Sequence, residues 1–284
     1  MIIPTKNCKR WIAPNIKSIQ EQKIDKKFEI IVVDDNSTDS MRRFLKFLNK
    51  KYPNLTLCLL NKSRGSYYAR NIGAKQSSAD ILVFTDCDCV ADENWMNNIT
   101  CPIFSKKYSA VQGASNIPLY NGFWITLETT RGAPKGPFVD TKNFAIRKEL
   151  FLNLGGFDER YLFSGDADLC LRFLKKGFKI GFRSNAIVFH FWTNNPFRLI
   201  KKTKFYGLGD LQIFFGHEKE TQISPIFLFK KSILMLIRGA KEALRARLPI
   251  HSRIIYFFYY YFFYMIRGIY FFLYFYKGFS HLKY

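Results

Sequence analysis

Residues 28–33 read Phe-Glu-Ile-Ile-Val-Val and stop abruptly at Asp34-Asp35. A β-branched run without polar alternation is the pattern of a strand buried on both faces, and such a strand requires helices packed above and below it. The surrounding chain supplies them in alternation. Ile2-Ile3 forms a short strand closed by Pro4, and helices are predicted at residues 14–22, 40–50 and 66–76, with strands at 55–60 and 81–85. Further on, helices are predicted at 92–104 and 166–176, and strands at 110–115, 143–146, 179–182 and 187–189. This order predicts an α/β fold, with a Rossmann-like, mostly parallel central sheet and helices on both faces.

In open α/β sheets ligands bind beyond the carboxyl ends of the strands. Asp34 and Asp35 close one predicted strand, and Asp86-Cys87-Asp88 closes another. In an extended segment the Asp86 and Asp88 side chains share one side. Two such carboxylates repel unless a cation lies between them, and hard divalent ions bridge carboxylate to diphosphate. The same triplet also reads as a solvated turn with N-capping acids. Asp166 and Asp168 open a predicted helix, where the macrodipole favours ionised carboxylates, so either a general base or plain capping acids fit there. His190 closes the apolar run Ile187-Val188-Phe189 and reads as a half-buried side chain or as a metal ligand.

Charge divides the chain differently. Lys and Arg number 44 against 22 acids, a formal net charge of +22, so something anionic is expected to face the protein. Residues 223–284 hold ten Lys or Arg and one acid, Glu242, and residues 254–276 are almost wholly aromatic or aliphatic, interrupted by Arg267-Gly268. Ile233, Ile237, Ala240, Leu244 and Leu248 fall at helical spacing, with Arg238, Lys241 and Arg245 offset from them, as in a basic helix lying in a head-group layer. A single membrane span is the other reading, but Arg267 near its middle costs about 2.5–3.5 kcal/mol on insertion; an aromatic interface is a third. The expected organisation is a catalytic domain at 1–195, a connecting helical segment at 196–222 and membrane-associating helices at 223–284. The expected location is the cytoplasmic face of the cell membrane. The six cysteines lack metal spacing and read as reduced thiols. The start, Met-Ile-Ile-Pro, reads as a strand entering a turn and not as a cleavable signal peptide.

Taken in order, Ile2-Ile3-Pro4-Thr5-Lys6-Asn7, residues 29–39, Ala69-Arg70-Asn71-Ile72-Gly73, Phe84-Thr85-Asp86-Cys87-Asp88, residues 143–147, Gly155-Gly156-Phe157-Asp158-Glu159, residues 165–172 and His190 resemble a family 2 glycosyltransferase of the GT-A fold. The resemblance implies an inverting, metal-dependent transfer from a nucleotide-sugar donor, with UDP as the first expectation and GDP or dTDP open. It implies that Pro4 and Thr5 line the base and ribose pocket and that Asp35 hydrogen-bonds the base. Arg70 would lie by the diphosphate, and Asn143 and Asp168 by substrate. Asp86, Asp88 and His190 would hold Mn²⁺ or Mg²⁺, and Asp166 would be the catalytic base. Where many relatives have Glu-Asp before the base helix this chain has Gly165-Asp166, so one acid is missing.

The implied partners are a nucleotide-sugar donor, a glycan or lipid-linked acceptor and an anionic membrane surface. A nucleotidyltransferase would need a Gly-rich phosphate loop after the first strand, and residues 4–10 contain no Gly. A nucleic-acid-binding protein, or an inactive transferase-like protein using its basic tail for binding only, are the alternatives. Nucleic acid is not expected, because no binding motif accompanies the charge.

Overall fold

The computed structural model describes residues 1–116, 139–161 and 163–191, together with 208, 209, 212, 213, 216, 217, 265 and 269. Residues 117–138, and the tail, Met265 and Ile269 apart, lie outside the described residues. Two compact units are present: Met1–Pro118, Arg131–Arg160 and Gly165–Trp192 form the first, and Leu119–Thr130, Tyr161–Ser164 and Thr193–Tyr284 the second. In the second unit, the Tyr161 hydroxyl donates to the Gln212 carbonyl at 3.4 Å. Among the described residues no helix is long and apolar enough to cross a membrane.

The first unit is built on an eight-stranded sheet. Its strands are β1 (Ile2–Thr5), β2 (Ile30–Asp34), β3 (Leu55–Leu59), β4 (Ile81–Thr85), β5 (Cys89–Ala91), β6 (Ala110–Asn116), β7 (Asn143–Arg147) and β8 (Ile180–His190), in the spatial order β3-β2-β1-β4-β7-β6-β8-β5. β1 to β4 are parallel to one another, as predicted. The other half is mixed: β7 runs antiparallel to both β4 and β6, and β5 antiparallel to β8, but β6 and β8 are parallel, so only β7 and β5 oppose the common direction and the sheet is mostly parallel, as expected.

The helices are α1 (Lys9–Gln20), α2 (Met41–Lys51), α3 (Ser66–Gln76), α4 (Trp95–Phe104), α5 (Lys148–Asn153) and α6 (Gly165–Lys175). Strand alternation divides the β2 run between two cores. Ile30 and Val32 join Ile12, Ile16, Leu45 and Trp95 on one face, and Ile31 and Val33 join Ala69 on the other. α1 starts earlier than predicted, because Pro14 sits inside the helix instead of opening it. Pro14 is exposed, where water replaces the backbone bond it forfeits. The two strands predicted at 179–182 and 187–189 are one strand, β8, and a register irregularity between Gly113 and Ala114 of β6 absorbs the polar residues between them.

Asn143 ties this half of the sheet together. Its Oδ1 accepts from the Trp95 indole at 2.7 Å, and its Nδ2 donates to the carbonyls of Ala114 at 2.6 Å and Ala186 at 2.9 Å. A Cβ on Gly113 would overlap both the Asn143 amide and the Ala186 carbonyl. We therefore expect Gly113→Ala to lower stability by about 1–3 kcal/mol, the range for overpacking a tight core, as read from urea unfolding of the two proteins.

Candidate active site

The carboxyl ends of β1, β2 and β4 open onto one edge. β1 stays paired with β2 through Thr5, but with β4 only at Ile2, so the ladder widens beside Pro4. Pro4 is buried, and Thr5, 3 % exposed, turns its hydroxyl to the Met41 sulfur at 3.6 Å. Two acids follow β2 with different employment. Asp34 is fully buried and is held by Ser37 and by Arg42 Nε at 2.8 Å. The Asp35 carboxylate accepts from Ser63 Oγ at 2.7 Å and from the backbone N–H groups of Arg64 at 2.7 Å and Gly65 at 3.2 Å. Asp35 thus fixes the loop that enters α3.

Asp86-Cys87-Asp88 is a turn and not the extended segment the alternation argument assumed. The Cys89 N–H closes it on the Asp86 carbonyl at 3.1 Å, and the chain then enters β5, a three-residue strand absent from the predicted elements. The turn separates the two carboxylates by partner. Asp86 Oδ1 accepts from Arg70 Nη2 at 2.5 Å, whereas Asp88 Oδ2 lies 3.4 Å from His190 Nε2. β5 and β8 bring that histidine in, with Cys89 opposite His190 in register, and the Phe191 N–H donates to the Asp88 carbonyl at 2.8 Å. Ligand atoms of Asp88, Cys89 and His190 lie within 4.8 Å of one another, the one such group among the described residues. Burial and the charges of Asp88 and Asp86 push the Cys89 thiol well up. Of this group, the aspartate oxygen and the imidazole nitrogen are the donors suited to a divalent ion such as Mn²⁺ or Mg²⁺, for which a soft thiolate is a poor ligand.

Arg70 links this turn to Asp166. It is 4 % exposed, its Nε is buried with no hydrogen-bond partner among the described residues, and its guanidinium lies 5.7 Å from the Tyr67 ring centre. Tyr67, one turn earlier on α3, places its hydroxyl 3.4 Å from Asp166 Oδ1. The missing acid at position 165 has a steric reason here: a Cβ on Gly165 would come within 2.7 Å of the Tyr67 ring. Asp166 is raised to about 6, first by burial and then by the negative charge of Asp140, with Arg70 and the Ala167 N–H opposing. Asp140 is paired with Lys142, and its N–H donates to Gln112 Oε1 at 2.8 Å.

Two predicted substrate contacts have structural employment. Asn143 is fully buried and is spent on the bonds that brace β6, β7 and β8. Asp168 accepts from Arg172 at 2.6 Å, and Arg172 also donates to the Gly156 carbonyl at 2.8 Å, holding the turn after α5. The same turn is held from α3 by Asn71, which exchanges bonds of 2.8 and 2.9 Å with the Phe157 backbone. Asn15, Tyr67, Cys89 and Asp140 carried no distinguishing signal in the sequence; only the Tyr67–Arg70 spacing, one turn along α3, hinted at a shared face.

The cysteines correct an expectation outright. Cys8 and Cys87 form a disulfide with Cα atoms 6.5 Å apart, and Cys58, Cys89, Cys101 and Cys170 are free. The bonded pair is 79 residues apart in sequence, and adjacent strands β1 and β4 deliver it to one place.

A mostly parallel sheet that gathers carboxylates, a buried arginine and a histidine at its strand ends is the arrangement of a GT-A-type sugar transferase. Residues 1–157 match Glycosyl transferase family 2, and the chain belongs to that family and is a glycosyltransferase. It is 27% identical over 223 residues to "Glycosyltransferase AglE" of Haloferax volcanii, covering 75% of this chain and 73% of that one. It is 24% identical over 235 residues to the "Dolichyl N-acetyl-alpha-D-glucosaminyl phosphate 3-beta-D-2,3-diacetamido-2,3-dideoxy-beta-D-glucuronosyltransferase" of Methanococcus voltae, covering 73% and 71%. The fold is similar to that of the mannosyltransferase PcManGT from Pyrobaculum calidifontis, solved with GDP-Man and Mn²⁺, at a TM-score of 0.69 and 19% identity over 94% of this chain and 86% of that one.

If Asp166 is the base that the resemblance implies, it acts only when ionised, so with Asp166 near 6 the kcat/KM should rise through about pH 6 and then level off. Asp140→Asn removes a negative neighbour and should move that limb to lower pH, and Asp166→Asn should abolish turnover while sparing donor binding. The pH–rate profiles of the three proteins check this. The sign for stability is opposite: the folded state holds the Asp166 proton above the usual carboxylate range, so stability falls as pH rises from about 4 to about 6.

Proposed function

We propose that this glycosyltransferase moves a sugar, with inversion, from a nucleoside-diphosphate donor to the hydroxyl of a glycan or lipid-linked acceptor. The observation that carries the reading is the convergence of Asp88 with His190 on one side of Arg70 and of Asp166 on the other. Asp88 and His190 hold the divalent ion, Mn²⁺ or Mg²⁺. When bound, that ion supplies charge neutralisation for the departing diphosphate. Arg70 offers further positive charge there, and its unpartnered Nε supplies a donor that a phosphate oxygen satisfies. Pro4 and Thr5 end β1 beside the widened ladder to β4, and Asp35 follows β2 on the other side of β1; the nucleoside binds along these strand ends. Asp166 accepts the proton of the attacking hydroxyl. The Ala167 N–H at 3.0 Å and the Tyr67 hydroxyl at 3.4 Å both lie on Oδ1 of that carboxylate, leaving its second oxygen for the acceptor.

The donor base stays between uridine and guanosine: the sequence resemblance favours UDP, whereas the structurally similar mannosyltransferase was solved with GDP-Man. A lipid-linked acceptor is supported by the name of the Methanococcus voltae relative and by the basic, aromatic composition of residues 223–284. On this reading the tail holds the enzyme against anionic lipid at the cytoplasmic face, each basic residue near the surface contributing about 1 kcal/mol.

Replacing Asp86 and Asp88 together with Ala should abolish Mn²⁺-dependent binding of UDP- and GDP-sugars in calorimetry, and unchanged binding would remove the metal site. Removal of residues 223–284 should release the protein from anionic vesicles in a sedimentation assay; co-sedimentation at the full-length level would assign membrane attachment elsewhere.

A further inference from the structure

Helix α1 has a face turned wholly toward the metal turn. Cys8, the residue capping its start, is bonded to Cys87, the middle residue of Asp86-Cys87-Asp88. Trp11, one turn on, stacks on Phe191 at 4.5 Å between ring centres, and Phe191 follows His190 directly. Asn15, a further turn on and 1 % exposed, donates through Nδ2 to the carbonyls of Asp86 at 3.1 Å and Cys89 at 2.7 Å. The spacing of Cys8, Trp11 and Asn15 is that of one helical face. α1 therefore holds the residues flanking Asp88 and His190 at three points, through a disulfide, a ring stack and two hydrogen bonds to backbone, and only the first is covalent.

Both bonded cysteines are half-buried and not sealed in the core. The Cys8 N–H is taken up by the Met41 sulfur at 3.1 Å, so the cap is anchored to α2 independently of the disulfide. Breaking the sulfur–sulfur bond thus leaves α1 in place through Met41 and Asn15 but frees the centre of the metal turn from it. A turn whose Asp88 carboxylate must meet an ion while Asp86 holds Arg70 binds more tightly when its geometry is fixed beforehand.

We propose that Cys8–Cys87 is a thiol–disulfide exchange site that sets the affinity of the metal turn: oxidised, the turn is locked and binds a divalent ion with nucleoside diphosphate tightly; reduced, it binds weakly. The co-reactant is a low-molecular-weight thiol. One thiol attacks a sulfur of the pair, breaking the protein disulfide and forming a mixed disulfide. A second thiol then attacks the small-molecule sulfur of that bond, leaving two protein thiols and one small-molecule disulfide, and the two protons of the incoming thiols end on Cys8 and Cys87. Oxidation is the reverse exchange with that disulfide. The proposal rests on the metal and donor reading given above, and its test separates the two.

The full-length protein is divided into a sample equilibrated with oxidised glutathione and one reduced with dithiothreitol, and both are freed of reagent. Peptide mass spectrometry after alkylation scores the Cys8–Cys87 bond, and calorimetry with Mn²⁺ plus UDP or GDP measures affinity. The oxidised sample should bind on the order of fivefold more tightly than the reduced one, the scale of a local preorganisation effect. Cys8→Ser should bind like the reduced protein after either treatment. Equal affinity in the two wild-type samples, a redox difference that survives in Cys8→Ser, or absence of the Cys8–Cys87 peptide after oxidation would each overturn the exchange site while leaving the metal reading intact. Absence of Mn²⁺-dependent binding in both samples would overturn the metal reading and the exchange site with it. The wild-type comparison needs no substitution, so the result does not depend on how well the variant folds.

Discussion

Asp86, Asp140 and Asp166 are drawn toward a common region by the ends of β4 and β7 and by the start of α6, and carboxylates gathered in a half-buried place repel one another. Arg70 is the counterweight. It is nearly buried, donates to Asp86, and lowers the Asp166 carboxyl against the burial and the Asp140 charge that raise it. Its guanidinium also lies near the rings of Tyr67 and Phe157, at 5.7 and 6.0 Å from their centres. A buried guanidinium is costly without partners, so the acids stabilise it as much as it stabilises them. The arrangement of these acids and local stability therefore share one side chain.

Around that centre, loops are fixed by side chains reaching across the sheet edge. Asp35 binds residues 63–65, Asn7 exchanges bonds with Thr38, Asn71 brackets the Phe157 backbone, and Arg172 ties Asp168 to the Gly155-Gly156 turn. Gly156 has φ +70, and a side chain there would meet the Asn71 amide, so the turn and its clasp require each other. Such clasps set the loops on a rigid frame, as a transferase aligning two substrates needs.

Much of this was legible beforehand, for local reasons. α3 at Ser66–Gln76 and β4 at Ile81–Thr85 fall where the periodicity and the flanking polar residues place them. Asp86, Asp88, Asp166 and His190 could be singled out because polar residues ending apolar runs must lie at strand or helix ends. Asn143 shows the limit of that argument. It also begins an apolar run, but the sheet buries it completely, and whether a strand-end amide faces ligand or core depends on what packs above it. Asp35 and Asp34 are adjacent and alike in sequence, yet one fastens a loop and the other its own turn.

By itself the sequence determined the alternation of strands and helices, the parallel half of the sheet and the acids at its edge, because side-chain periodicity and chain punctuation are local properties. The tertiary structure alone decided that β7 enters antiparallel between β4 and β6, that β5 exists, and that Cys8 meets Cys87. It also decided that Asp86 faces Arg70 while Asp88 faces His190. These are pairings between segments far apart along the chain. Their free energy comes from packing and desolvation at the place where they meet, which no window of sequence contains.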